Sequence, residues 1–454
     1  MKKIFVIALL SSVLLLEAVS PSLPESDHEF IKQYCLPAWK YIDLNMELAI
    51  SGDNRKFTHY NENEQYEFYK INYKPTVFFR KESDKMMLKC FGYYNIDFQY
   101  KNDFSYHYTY DDNELIKSIM QEFRSDLHNE AELKLYNKKS DYIVLSAIMD
   151  YNYFNQFYSE ENHENSTILG AFLAGSGSGR VREVTPIIRA LRFKKRYNSF
   201  GKGVLDQQDV ANLSGILTKY SENPNNFEYS DKYWWNDISS ILNNKLSNLD
   251  GYDVFMLTDA LKENVGTRLQ GKEMNVNLQY FWIKQKNDYW SGNYNLSRIN
   301  SIFSYIGLTT SGKYYSNLSI KHQIGFEMDL GLYLPTSENT LFDRSINLKL
   351  NHNQLFTITD RLIYQVDFNI FGDMYKKNKG FLLEALNSFN YYLENNFSIN
   401  LNINSHFQKY DQQSVFVDFD RNGYYRVPHF YDGAYREFLW WDFGVFLNYH
   451  FGRM

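Results

Sequence analysis

Charged side chains recur at every second position over residues 119–135. Glu122, Arg124, Asp126, His128, Glu130, Glu132 and Lys134 share one parity, while Ile119, Phe123, Leu127, Ala131, Leu133 and Leu135 share the other. A period of two puts the sets on opposite faces of an extended strand, whereas a helix would scatter the apolar residues over several faces. Carboxylates and cations on one face can line a polar lumen. There they act as rings that sort ions, or as internal ion pairs that fill the space. Glu327, Asp329, Arg361 and Asp367 are the other charged residues expected in that lining.

The elements that must hold such a lining are long strands. Residues 41–51, 324–334, 397–407 and 439–451 alternate in the same way, often with Tyr, Phe or Trp on a face. The chain of 454 residues carries 39 Tyr, 35 Phe and 7 Trp against only 8 Pro, which argues against disorder. Soluble sandwiches are built on strands of about five or six residues. A membrane-spanning barrel needs about 9–11 per strand, apolar outside and polar inside, with aromatic girdles. The alternation predicts strands near 40–51, 66–79, 86–101, 117–137, 140–157, 165–177, 273–285, 295–316, 321–334, 344–358, 361–374, 381–392, 396–410 and 436–452. The fold class is therefore an all-β transmembrane barrel, antiparallel and up-and-down, of about fourteen strands. Short connections at 81–85, 137–140, 359–361 and 394–396 become turns at one end. The longer connections 52–65, 160–164, 375–380 and 411–435 fall at the other.

Residues 1–20 read as a signal peptide: Lys2 and Lys3, an apolar run from Ile4 to Leu16, then Ala18-Val19-Ser20. A periplasmic N-terminal segment follows at 21–39. Barrel strands occupy 40–179 and 272–454. Between them, residues 180–271 switch to helical periodicity. A first helix is expected over 183–197, and Asp206 with Asp209 suggests the N-cap of a second. Tyr233, Trp234 and Ile238 mark a third helix, and Val254, Leu257 and Leu261 a fourth. The start of this insert is basic. Arg182, Arg189, Arg192, Lys195 and Arg196 are the residues expected to touch lipid headgroups or an acidic periplasmic partner.

Other chemistry is poorly supported. No His-Glu-x-x-His motif and no Cys/His cluster points to a metal, and no cofactor motif stands out. A hydrolase on a barrel's lipid face would need a Ser, a His and an orienting polar group, and none of the ten His has such a setting in the sequence. The chain is read as a non-enzyme. Asp418-Phe419-Asp420-Arg421-Asn422-Gly423 opens like a calcium loop, but its twelfth position is His429, so a turn is expected. Gly175-Ser176-Gly177-Ser178-Gly179-Arg180 could cradle a phosphate, but no Gly-Lys-Ser/Thr follows. A tight exit from a strand is the expectation there. The net charge of −6 gives no footprint for nucleic acid. Cys35 and Cys90 could pair in an exported chain, although Cys35 precedes the first strand and Cys90 lies within one.

The closing segment Gly444-Val445-Phe446-Leu447-Asn448-Tyr449-His450-Phe451 resembles the terminal signal of outer-membrane β-barrel proteins of Gram-negative bacteria. Gly444, Leu447, Tyr449 and Phe451 match its pattern, and the tail Gly452-Arg453-Met454 departs from it. The order of strand, Gly-x-Gly-Arg, helical insert and further strands also resembles porin-like barrels over 165–454. The resemblance implies the cell outer membrane as the location, with outer-membrane lipid and the barrel assembly machinery as partners. Two functions then compete. One is passive diffusion of small polar solutes, gated by the insert. The other is a barrel anchor whose helical domain docks a periplasmic protein.

Overall fold

Among the described residues, dyad alternation builds an antiparallel sheet of fourteen strands, each hydrogen-bonded to its neighbours in chain order. The computed structural model describes residues 24–34, 39–59, 62–108, 113–137, 140–158, 161–222, 230–291, 294–337, 344–375, 378–394, 397–410, 418–419, 425–426 and 437–449. Residues 1–20, expected as a signal peptide, lie outside them, as do Cys35 with its expected pairing, Phe451 and most of the loop after Asp418.

The first six strands are β1 (Trp39–His59), β2 (Glu62–Glu82), β3 (Met86–Tyr108), β4 (Asn113–Asn137), β5 (Asp141–Tyr158) and β6 (Glu161–Glu183). After the insert come β7 (Leu269–Ser291), β8 (Tyr294–Asn317), β9 (His322–Pro335), β10 (Ser345–Thr357), β11 (Leu362–Tyr375), β12 (Asn378–Glu394) and β13 (Phe397–Tyr410). A two-residue hairpin, β14 (Asp418–Phe419) with β15 (Tyr425–Arg426), precedes β16 (Glu437–Tyr449), which pairs with β13. The strands overrun the expected bounds. Residues 52–65, expected as a long loop, instead continue the β1–β2 ladder out to His59 opposite Glu62. The backbone ladder persists past the apolar stretch because its bonds do not depend on side-chain polarity.

The outer face is apolar. On β7, Met274, Val276 and Leu278 are 62%, 52% and 56% exposed, and the intervening Asn275, Asn277 and Gln279 are buried on the inner face. Ile143, Leu145 and Met149 on β5, and Phe326, Leu332 and Leu334 on β9, extend the outward belt. An exposed apolar surface on this scale is stable against lipid rather than water.

Tyrosines on the inner face lie over glycines of the adjoining strand. Tyr142 faces Gly177, Tyr315 faces Gly325 and Tyr333 faces Gly307 in register. A Cβ on any of these glycines would meet the tyrosine ring. The glycine-rich run is thus part of β6, not its exit, and the ladder with β7 continues to Glu183 opposite Leu269. Gly179 and Gly271 take positive φ on the two strands, which glycine alone adopts freely. No phosphate cradle forms, since Tyr142 occupies the space over Gly177.

The insert begins later than expected. Pro186 stands in the first turn of helix α2 (Thr185–Ser199), where its missing N–H costs nothing. Helices α3 (Gln207–Glu222), α4 (Ser230–Leu242) and α5 (Gly251–Lys262) follow. Ile187, Ile188 and Leu191 of α2 pack with Val210 and Leu213 of α3, Ile238 of α4 and Leu257 of α5. The N-terminal segment contributes helix α1 (Glu25–Gln33), whose Ile31 is buried in the same core.

Two capping boxes are cross-tied. The Asp206 N–H donates to Asp209 and the Asp209 N–H returns to Asp206, at 2.8 and 2.9 Å. Asp250 and Asp253 do the same at 3.0 Å each way. Lys245, just before the second box, binds Asp206 and Asp209, and Lys202, just before the first, binds Asp250 and Asp253.

Candidate functional site

The candidate site is the inner wall of the sheet and the end of it that the helices cover. The strands bring Glu122, Arg124, Asp126, Glu130, Glu132 and Lys134 to the inner face of β4, opposite in parity to the outward Leu135. Most of these charges have near partners. Arg124 Nε lies 2.7 Å from Glu122, and Asn95 donates to Asp126 at 3.2 Å. Lys134 is nearly buried and reaches Glu273 on β7 at 2.5 Å, with Glu132 at 3.7 Å. Glu327 accepts from Tyr315 and lies 3.7 Å from Lys313. Asp329 faces Lys349 in register, and Asp367 accepts from Asn353 and Gln365. Arg361 is the exception. It sits exposed in the turn before β11 and donates to the Leu393 carbonyl at 3.1 Å, so it lines no lumen. It is the last residue of the 359–361 turn.

Several inner-wall groups lie outside the expected lining set, although His128 already shared its parity. His128 pairs with Asp150 and stacks on Tyr93 at 5.3 Å. His406 lies 3.0 Å from Glu384. Asn351, Asn369 and Glu384 form a ladder over three adjacent strands. An aromatic cluster also faces inward, with Phe281 stacked on Tyr305 at 4.9 Å and both packed with Tyr333. Only the parity of each strand could have exposed these groups, since their partners lie on other strands.

Two contacts show how strongly the sheet curls. Lys134 and Glu273 are separated by β5 and β6. Arg180 at the end of β6 bonds Glu82 Oε1 at 2.8 Å and the Ser83 carbonyl at 2.7 Å, at the end of β2. Its guanidinium also lies over the Tyr136 ring at 4.5 Å. Side chains span three or four strands only across the concave face of a tightly curved sheet.

The helices cover the end at which the insert enters. Helix α1 lies beside β7, and α3 lies beside β1. Arg196 binds Glu263 at 2.6 Å and Asp360 in the β10–β11 turn at 3.0 Å. Arg192 binds Glu263 at 3.0 Å and the Ile320 carbonyl of the β8–β9 turn at 3.4 Å. Asn264 donates to the Tyr392 hydroxyl of β12 at 2.8 Å. Burial draws the Arg192 guanidinium below its usual range, with Glu263 opposing; burial likewise pushes the Glu263 carboxyl up against the pull of Arg196 and Arg192.

This changes the reading of the basic stretch. Arg182 lies at the end of β6 rather than on the helix. Arg189 is half-buried, Arg192 is buried and Arg196 is paired, so of the five expected contact residues only Lys195 is exposed. The carboxylates that neutralise them come from Glu263 and Asp360, far along the chain, where a local charge balance cannot register them. Gly444 sits on β16 opposite Asn402, and Leu447 and Tyr449 lie on the same strand.

No protein-family model matches this chain, and no curated protein does. Among solved structures, it is similar to the translocator domain of the autotransporter NalP from Neisseria meningitidis, at 7% identity over 77% of this chain and 87% of that one, with a TM-score of 0.32. The ferric yersiniabactin uptake receptor FyuA from Yersinia pestis matches at 7% identity over 81% of this chain and 50% of that one, with a TM-score of 0.34. The CymD monoaromatic hydrocarbon channel matches at 5% identity over 86% and 90%, with a TM-score of 0.28. The outward apolar belt, polar inner wall and chain-order strand pairing make this chain an up-and-down antiparallel sheet of the kind that walls a membrane β-barrel, with a helical unit at its turn end.

Proposed function

We propose that the protein is an outer-membrane channel for passive diffusion of small polar solutes, with the helical unit gating its periplasmic mouth. The barrel sits in the outer membrane with its apolar face against lipid, and the turn end faces the periplasm. A catalytic step forms no part of this reading. The observation that carries it is the contact of the helical unit with strands and turns far apart around one end: β1, β7, the β8–β9 and β10–β11 turns, and β12. A cover tied to the rim by side-chain bonds can open by breaking them. The largely self-paired charges on the inner wall favour weak ion selectivity.

Planar-bilayer conductance tests this reading. The refolded full chain should open rarely. A chain with Arg196→Gln and Asp360→Asn should open more often, and a chain with 185–267 replaced by a short turn should conduct steadily. Silence from all three proteins in every salt would refute a channel.

A second reading has its own support. Val204, Tyr252 and Phe255 on the helical unit are 72%, 69% and 67% exposed. Large apolar side chains left in water favour a docking role. In that case Tyr252→Ser with Phe255→Ser should abolish capture of a periplasmic partner. Capture that survives this double change would remove the support.

A further inference from the structure

The connection from α5 to β7 carries an arginine with no counter-charge among the described residues. Arg268 is fully buried. Its Nε donates to the Val265 carbonyl at 2.9 Å and its Nη2 to the Thr357 hydroxyl of β10 at 2.7 Å. Both acceptors are neutral. Among the described residues its Nη1 has no hydrogen-bond partner, and the other charged group acting on it is the cation Arg192. His322, stacked on Phe356 at 4.2 Å, lies within electrostatic reach of the same guanidinium. The contrast with neighbouring arginines is sharp. Arg192 and Arg196 share Glu263, and Arg180 has Glu82. Desolvating a cation costs several kcal/mol unless an opposite charge compensates, so a buried arginine served by neutral acceptors alone is poorly balanced. A buried donor without an acceptor is equally costly and calls for a water or an ion.

The position matters as much as the charge. Residues 263–268 are the strap by which the last helix joins the barrel. Asn264 holds Tyr392 of β12, Gly266 at φ +67° packs on Leu355 of β10, and the Arg268 N–H donates to Thr185 at the start of α2 at 3.0 Å. Arg268 thus ties both ends of the helical insert to the wall.

We propose that Arg268 Nη1 is one ligand of a buried site for a compact inorganic anion, and that the bound anion fastens the helical unit to the barrel rim. Thr357 fixes the guanidinium by accepting from Nη2, and Nη1 is left to donate to the anion. Chloride and inorganic phosphate are the simplest anions a guanidinium N–H can bind. The inference is independent of whether the barrel conducts.

The test uses the full chain folded in non-ionic micelles, with ionic strength held constant by gluconate. Thermal unfolding is followed as chloride or inorganic phosphate replaces gluconate, and binding is measured directly by equilibrium dialysis of radiolabelled chloride and phosphate. The wild type should show a saturable upward shift in melting with at least one of them, and one bound anion per chain. Arg268→Met should lose both effects. Arg268→Lys, which keeps the cation but not the fork, should bind more weakly. Should the methionine variant fail to fold, the lysine variant and the dialysis stoichiometry still decide the matter. Absence of saturable binding to the wild type would overturn the proposal and leave water as the partner of Nη1. A shift shared in full by Arg268→Met would overturn it too, as a general salt effect.

Discussion

The Tyr142 ring lies over Gly177 of the adjoining strand, in the space that a side chain on Gly177 would need. Its hydroxyl lies 3.3 Å from the Asn275 amide on β7, so one phenol crosses the width of β6. The same exchange of a tyrosine for a missing side chain recurs at Tyr315 with Gly325 and Tyr333 with Gly307. Glycines weaken a strand because they lose more chain entropy and offer nothing to pack. A ring from the neighbouring strand restores the packing while the glycine permits sharp curvature. Part of the tyrosine excess has this structural use.

Gly177→Val should therefore destabilise the barrel through overpacking against Tyr142, by about 1–3 kcal/mol. Adding Tyr142→Ala should recover only the part of the loss that the ring causes, since the Met274 carbonyl also stands 2.5 Å from a Cβ at this position. Urea unfolding in micelles measures both. Additive losses in the double variant would show that the ring and the glycine do not interact.

Lys134 and Glu273 are both nearly buried, so neutralising one strands the other. Lys134→Met or Glu273→Met alone should cost about 3–5 kcal/mol, and the two together distinctly less than either single change. A double-variant cycle read by urea midpoints checks the order.

Side-chain parity predicts which surfaces meet lipid. In a background with Cys35→Ser and Cys90→Ser, Leu278→Cys should react in liposomes only with a membrane-soluble maleimide. Arg124→Cys, on the inner wall where the arginine side chain is 54% exposed, should react with a water-soluble one. Equal labelling of both positions by the water-soluble reagent would place the belt outside the bilayer.

The helical unit should loosen in acid before the barrel does. The Asp206 carboxyl is held below its ordinary value of 3.8, first by the backbone N–H of Asp209 and then by Lys245. Asp250 is lowered likewise by the backbone N–H of Asp253 and by Lys202. A depressed carboxylate stabilises the fold above its unfolded value, and that contribution disappears as pH falls through the folded value. Helical circular dichroism and protease resistance of residues 185–262 should therefore fall between about pH 4 and pH 2, while the strand signal persists. Asp206→Asn with Asp250→Asn should flatten that dependence, because neutral caps do not titrate in this range.

The alternation in sequence was sufficient for the antiparallel meander, its fourteen strands, the inward charges of β4 and the existence of a helical insert. It was sufficient because a strand's two faces follow from parity alone, and each face must match its surroundings residue by residue. The strand ends were less legible, as at 52–65, because a ladder bonds through the backbone and continues beyond the apolar stretch. Partnership was not legible at all. Lys134 with Glu273, Arg180 with Glu82, Arg192 and Arg196 with Glu263, and Arg268 with no carboxylate each depend on how tightly the sheet curls and where the insert folds back. A sequence fixes the charge on a side chain, but the neutralisation of that charge depends on distances that only tertiary structure sets.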